Sequence, residues 1–335
     1  MKVDGGIASD LHRTVESARE AEATGYDGIW TAETAHDPFF PLLLAAEHTS
    51  RMELGTGIAV AFARNPMVLA NIGYDLQAYS GRFILGLGSQ IKPHITKRFS
   101  MEWSHPAARM RELIGAITHI WDAWDNETKL DFHGEFYTHT LMTPFFNPGP
   151  NPNGRAKIFL AAVGEMMTEV AGEVADGLLC HAFTTEAYLR NHTIPALERG
   201  LATSGRSIDD FEISGPAFVV TGTTEEEMAA SADGVRRQIA FYGSTPAYRK
   251  VLEEHGWGEL QTDLNHLSKL GEWKQMGTLI DDEMLDAFAI VGEPEEIPGK
   301  LAARYGDVVD RISFYAPYKS DPERWAKVME GIKAA

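Results

Sequence analysis

Short apolar runs alternate with longer segments whose apolar residues recur every three to four positions, and this rhythm returns along nearly the whole chain. A strand covered on both faces reads as a continuous apolar run, whereas a helix that packs one face repeats at the helical period. The runs are Lys2 to Ile7, Asp27 to Thr31, Leu54 to Val60, Arg82 to Gly88, Lys157 to Ala161, Gly177 to Cys180, Phe211 to Val220 as a broken strand, and Arg311 to Tyr315. Between them the spacing predicts helices over Asp10 to Thr24, Pro38 to Ser50, Asn65 to Ser80, His105 to Asp125, Glu165 to Ala175 and Glu186 to Thr203. Start and stop signals agree: Asn65-Pro66 joins an N-cap acceptor to a residue with no amide to satisfy, Thr224 to Glu227 is a capping box, Asp321-Pro322 opens a terminal helix, and Gly25 closes the first one. Four strand-helix units fall within about 125 residues and eight within the 335 of the chain, which points to a parallel (β/α)8 TIM barrel, with a doubly wound open sheet as the alternative.

Two stretches break the rhythm. Thr143 to Gly154, rich in Pro, Gly and Asn, reads as a long loop, because strand and helix resume directly after it. From Tyr242 to about Leu285 the pattern is mostly helical with no clear strand, an insertion before the last one. The expected organisation is therefore a single barrel domain over residues 1–335 with a helical insertion at about 242–290.

Charge narrows the partners. Lys and Arg number 30 against 48 Asp and Glu, a net charge of −18 that repels nucleic acid and anionic membrane surfaces, so neither is expected. The most apolar stretch, Pro38 to Ala46, is far short of the roughly 18 residues of a membrane span. One cysteine, Cys180, allows no internal disulfide, and the first residues lack the features of a secretion signal, so the cytoplasm is the expected compartment.

Barrel chemistry gathers where strands end at their carboxyl side. After the second run come Glu33, Thr34, His36 and Asp37, enough for proton transfer if they converge and otherwise a solvated loop. Gly57-Ile58-Ala59 marks a bulge or a close backbone approach. Gly86-Leu87-Gly88-Ser89-Gln90 lacks the third glycine of a dinucleotide fingerprint and follows the fourth strand, which argues against a Rossmann site. It and Ala161-Ala162-Val163-Gly164, which opens a helix, serve either as tight turns or as phosphate cradles. His181 stands between apolar neighbours as a core histidine or a ligand contact, and Lys92, His94, Lys97 and Arg98 form a basic run suited to a polyanion or to solvent. No metal or nucleophile motif is present.

Thr31 to His36, LGTGIAV, RFILGLGSQIKPHITKRF, KIFLAAVGEMMTEVAGEVADG and VVDRISFY together resemble the luciferase-like flavin and deazaflavin oxidoreductase superfamily. GLGSQIKPHITKRF and IAFYGSTPAYRKVLEEHGWGEL are similar to its coenzyme F420-dependent branch. The resemblance implies a (β/α)8 barrel with an insertion before the last strand, and a non-prolyl cis peptide after the third strand, a place that Gly57-Ile58 matches. It implies a cofactor held by Thr31, Thr34, Gly57, Ile58, Ala59, Gly88, Ser89, Gln90, Lys92, Ala162, Val163, Gly164 and Glu165, with Glu33, His36 and His181 as the candidates for proton transfer. The implied reaction is hydride transfer between the deazaflavin C5 and a small organic carbonyl, alcohol or activated alkene. A homodimer and a separate cofactor-reducing enzyme are the implied partners.

Departures from the sugar-phosphate dehydrogenases of the superfamily are informative. Their Asp-His pair after strand two aligns with Glu33-Thr34, their acid after strand four with Ile91, and their phosphate-binding lysine after strand six with Thr184, which argues against glucose 6-phosphate. Two alternatives remain: an FMN-dependent monooxygenase using reduced flavin and oxygen, and a cofactor-binding protein without turnover.

Overall fold

Burial shows why such short runs suffice as strands: all six residues of Phe83–Gly88 are buried, as a parallel strand covered on both faces requires. The computed structural model describes residues 1–319 and 322–334. Its barrel strands are β1 (Lys2–Gly6), β2 (Gly28–Thr31), β3 (Glu53–Thr56), β4 (Phe83–Gly88), β5 (Lys157–Ala162), β6 (Gly177–Cys180), β7 (Glu212–Val220) and β8 (Arg311–Tyr315). Their order is β7-β8-β1-β2-β3-β4-β5-β6, with β7 also paired to β6. The parallel sheet thus closes as a (β/α)8 barrel, and the doubly wound alternative is set aside.

The chain divides into two compact units. The first comprises Asp4–Leu179 with Ala196–Glu212, the second Met1–Val3 with Cys180–Pro195 and Ile213–Ala335.

Within the first unit, the single expected strand Leu54 to Val60 is interrupted. Strand β3 stops at Thr56, the Gly57–Ile58 bond is cis, and Ala59–Val60 pairs again with β4. Where the ladder is broken, the Thr56 hydroxyl takes over: it donates to the Gly86 carbonyl at 2.7 Å and accepts from the Gly86 amide at 2.9 Å. A Cβ at Gly86 would stand 1.7 Å from the Thr56 carbonyl oxygen, so only glycine fits. Helix starts follow the sequence signals, with Asp10 accepting from the His12 amide and Asn65 from the Met67 amide. The loop Thr143 to Gly154 is tied down, since Asn153 donates to the Gln77 and Ala78 carbonyls and Gln77 returns a bond to the Asn153 carbonyl. A hairpin of Phe132–His133 and Thr138–His139, absent from the sequence reading, is held by Glu112, whose carboxylate accepts the amides of Glu135, Phe136 and Tyr137.

The second unit packs the insertion around Phe183, Phe218 and Phe288, all fully buried, with Phe183 stacked on Phe288 at 4.7 Å. Each such ring contributes roughly 1.5–3 kcal/mol by leaving water. Two expectations are corrected here. Strand β7 is continuous rather than broken, because Pro216 pairs by register with Ser313 while the flanking residues carry the ladder. A short strand, Ala289–Val291, not anticipated from the sequence, follows the stretch Tyr242 to Leu285 and pairs with Phe218–Val220, and three residues are too few to give an alternation signal. The helix expected over Glu186 to Thr203 is Glu186–Tyr188, one π turn at Leu189–Thr193, and Ile194–Ser204; Pro195, having no amide to donate, makes a regular helix impossible there. Thr224 caps its helix by accepting from the Glu227 amide, while Glu227 reaches the Thr223 amide. The Asp321 signal lies outside the described residues, and the terminal helix runs Pro322–Ala334. Among the described residues no helix is long and apolar enough to cross a membrane.

Candidate functional site

The strand ends of the first unit are built mainly from backbone. After β2 the chain turns back on the segment following β3: the Gly57 amide donates to the Thr31 carbonyl at 2.8 Å and the Glu33 amide to the Ile58 carbonyl at 3.1 Å. Glu33 is buried, and its Oε2 accepts from the Val60 amide at 2.7 Å and from Arg64 Nη1 at 2.5 Å. Arg64 also reaches Asp37 at 3.0 Å and lies over the Phe39 ring. A buried carboxylate is tolerated only with such partners, so this triad is a clamp that fixes the two segments together. Thr31 is buried with its hydroxyl donated to the Pro38 carbonyl, and Thr34 and His36 are exposed.

The result is a ledge. Gly57 is exposed and Ile58 half-buried, with Ala59 buried behind them. Gly88 backs Ile58 so closely that a Cβ there would meet its Cδ1 at 2.9 Å. Beyond Gly88, Ser89 and Gln90 form a turn in which Gln90 takes a left-handed conformation, φ 61°. That conformation is uncommon for a side-chain-bearing residue, and its Oε1 accepts the Ile91 amide at 3.1 Å. Lys92, His94 and Lys97 follow, all exposed, on and beside a single π turn, His94–Arg98, whose Arg98 guanidinium donates to the Thr34 carbonyl.

At the end of β5, Ala162 and Val163 lead to Gly164, the N-cap of the helix Glu165–Val174. No side chain caps this helix, and a Cβ at Gly164 would meet nothing within 4 Å. A helix N-terminus attracts anions through its dipole and its first-turn amides. Glu165 lies in the same turn, 3.4 Å from Arg199.

The second unit presents side chains instead. His181 follows β6, and its Nδ1 accepts the Phe183 amide at 3.0 Å, so the neutral ring carries its proton on Nε2. Nε2 is 3.4 Å from the Tyr248 hydroxyl, and the ring packs on Tyr242 and Tyr248 with centroids 4.7 Å away in both cases. Burial lowers the His181 pKa to about 4, so the ring is neutral at pH 7. Tyr242 and Tyr315 share a hydroxyl hydrogen bond of 2.9 Å, and Tyr315, the last residue of β8, is level with Phe218 in the register of β7. The adjacent Cys180 thiol is pushed up to about 12 by burial and is unreactive.

Of the sequence candidates, the structure brings Thr31, Glu33, Gly57, Ile58, Ala59 and Gly88 into one network and places Thr34 and His36 on the exposed side of the same loop. Arg64 was not singled out by sequence reasoning. Its signal was available, a lone charge directly after the apolar run Ala59 to Ala63 and just before the Asn65 cap.

Comparison with known proteins bears on this geometry. Residues 2–311 match the luciferase-like monooxygenase family. An uncharacterised protein of Mycobacterium tuberculosis is 60% identical over 313 residues, covering 93% of this chain and 92% of its own length. The F420-dependent glucose-6-phosphate dehydrogenase of Mycobacterium avium is 30% identical over 214 residues, 59% of this chain and 61% of that protein. Among solved structures, the coenzyme F420-dependent tetrahydromethanopterin reductase of Methanopyrus kandleri superposes with a TM-score of 0.77 at 20% identity, covering 98% of this chain and 97% of that one. The chain belongs to the luciferase-like monooxygenase family.

Proposed function

We propose that this chain is a coenzyme F420-dependent oxidoreductase that transfers a hydride between the deazaflavin and a small organic substrate, a carbonyl, an alcohol or an activated alkene. The observation that carries the reading is the exposed turn bearing the cations Lys92, Lys97 and Arg98 directly after Gly88–Gln90, in a chain whose net charge is −18. A ligand with an acidic tail needs such local positive potential to overcome the global field, whereas a flavin with a single phosphate does not. The relatives named for F420 support the same choice.

The residues present fit such a cofactor. The exposed Gly57 and half-buried Ile58, backed by Ala59 and Gly88, offer a seat for a flat ring; Ser89 and Gln90, and the turn Ala162, Val163, Gly164 and Glu165 that opens a helix, are the places for a phosphate. Lys92 and its neighbours meet the tail, and Thr31 and Thr34 belong to the wall, Thr31 through the loop it anchors. When bound, the deazaflavin supplies the hydride donor or acceptor at C5. The chain's own contribution is to position, to exclude water and to hydrogen-bond the reacting oxygen. We assign to His181, whose neutral ring presents Nε2–H, the hydrogen bond to the reacting oxygen of the substrate, rather than to Glu33, which Arg64 and the Val60 amide engage, or to His36 in the exposed loop. A homodimer and a separate enzyme that recycles the cofactor complete the proposal, and sedimentation tests the first.

Titration of the apoprotein with coenzyme F420 and with FMN, at physiological and at high salt, is the decisive test. The expected result is preference for F420 and a loss of affinity at high salt, about tenfold, as exposed charge pairs are screened. Preference for FMN, with oxygen uptake when the flavin is reduced, would overturn the reading in favour of a monooxygenase.

A further inference from the structure

The second unit gathers His181, Tyr242, Tyr248 and Tyr315, all half-buried, around the fully buried Phe183 and Phe218. Burial lowers the His181 pKa to about 4 and raises those of Tyr248 and Tyr242, so the imidazole is neutral at pH 7 and these two hydroxyls keep their protons. The donors outnumber the acceptors they serve. Between Tyr242 and Tyr315 one hydroxyl donates to the other, which leaves one O–H of the pair to spend elsewhere. His181 has its Nδ1 lone pair committed to the Phe183 amide, and its Nε2–H meets Tyr248 only at 3.4 Å, half an ångström beyond an ordinary N–H···O bond. A stronger acceptor would displace that contact. The rings themselves, at 4.7 to 6.5 Å from one another, give flat apolar walls.

We infer that this group recognises the substrate, and that the substrate is an uncharged, flat carbonyl compound whose oxygen accepts from His181 Nε2–H and a tyrosine hydroxyl while its apolar body packs on the aromatic rings. The inference rests on the proposed oxidoreductase function, since it names the class of compound that function acts on. A carboxylated or phosphorylated substrate is disfavoured here, because the group offers it three hydroxyls and a neutral imidazole but no cation of its own.

The experiment uses full-length protein labelled with 15N-histidine, alone and saturated with coenzyme F420, titrated with acetophenone and with 4-acetylbenzoate. The expected results are a neutral His181 protonated on Nε2 at pH 7, a shift of its Nε2 resonance on adding acetophenone, and binding of the carboxylate weaker by about a hundredfold. His181→Phe should weaken acetophenone binding about tenfold and Tyr248→Phe about threefold, each keeping the near-UV circular dichroism of the parent. Tyr248→Phe retains the ring, so it keeps the test available if His181→Phe does not fold. The proposal is overturned if acetophenone leaves the His181 resonance unmoved in both states, or if 4-acetylbenzoate binds as well. Because the cofactor titration is scored separately, intact F420 binding with no response at His181 would refute this substrate class alone, and lost F420 binding with a response would refute the cofactor alone.

Discussion

The two units end their strands in opposite ways. In the first, the polar side chains at the strand ends are consumed by the protein itself: Glu33 by Arg64 and the Val60 amide, Thr31 by the Pro38 carbonyl, Thr56 by both polar groups of Gly86. What remains for a ligand is backbone, glycine and the local positive charge of the turn after β4. In the second, His181 meets Tyr248 only at 3.4 Å and the Tyr242–Tyr315 pair uses one of its two hydroxyl protons, so donors remain to spend. A cofactor common to many enzymes is well served by backbone, which a changing sequence cannot alter much. A particular substrate needs side chains, which are where one relative can differ from another.

If the first unit is saturated as described, its clamp should be expensive to break. Arg64→Ala removes the partner of a carboxylate whose side chain is only 7% exposed and should destabilise the protein by about 3 kcal/mol, read as a shift in the urea midpoint. The contrast sharpens with a second change. Adding Glu33→Gln to Arg64→Ala should recover part of that loss, because a neutral amide needs no cation. A cost for Arg64→Ala below about 1 kcal/mol would show that the clamp is no more than a surface pair.

The same difference explains what the sequence made legible. Strands were visible because burial on both faces forces runs such as FILGLG, and helix starts were visible because caps are local, as at Asp10, Asn65 and Thr224. The backbone features of the first unit could be located as well: glycine marks places where a Cβ would collide, as at Gly86 and Gly88, and the cis bond stands at Gly57-Ile58, where the family resemblance put it. The clamp was hidden, since Arg64 and Glu33 are far apart in sequence and nothing local announces their bond. Likewise His181 was visible as a candidate, but its tautomer depends on the amide of Phe183 and its surroundings on Tyr242, Tyr248 and Tyr315, brought in from three later elements. The hairpin at Phe132 to His139 and the strand Ala289–Val291 were too short to show any period.

Acid should separate the units further. His181 titrates at about 4 when folded against 6.5 for an exposed ring, so between these values the unfolded chain binds the extra proton. Stability contributed by this residue is therefore complete above pH 6.5 and is lost as the pH falls towards 4. The full difference is on the order of 3 kcal/mol. Guanidinium unfolding at pH 7 and at pH 5 should show the parent losing more stability than His181→Phe, in which the titrating group is gone. Equal losses would mean that His181 is already hydrated in the folded protein and is not the desolvated donor described above.

The smallest effect on stability belongs to the place where the first unit leaves room. At Gly164 the backbone is extended, φ −90° and ψ 151°, and a Cβ would meet nothing within 4 Å, so Gly164→Ala should cost less than about 1 kcal/mol, the difference between glycine and alanine at an N-cap. Its effect on binding should be larger than its effect on folding. If an anion sits against the first-turn amides, the added methyl group occupies the approach and should weaken F420 binding severalfold while the urea midpoint hardly moves. Unchanged binding would remove this helix from the cofactor site and leave the cationic turn after β4 to hold the charged part of the ligand. A change in the urea midpoint as large as that of Arg64→Ala would instead place Gly164 among the positions the fold itself requires.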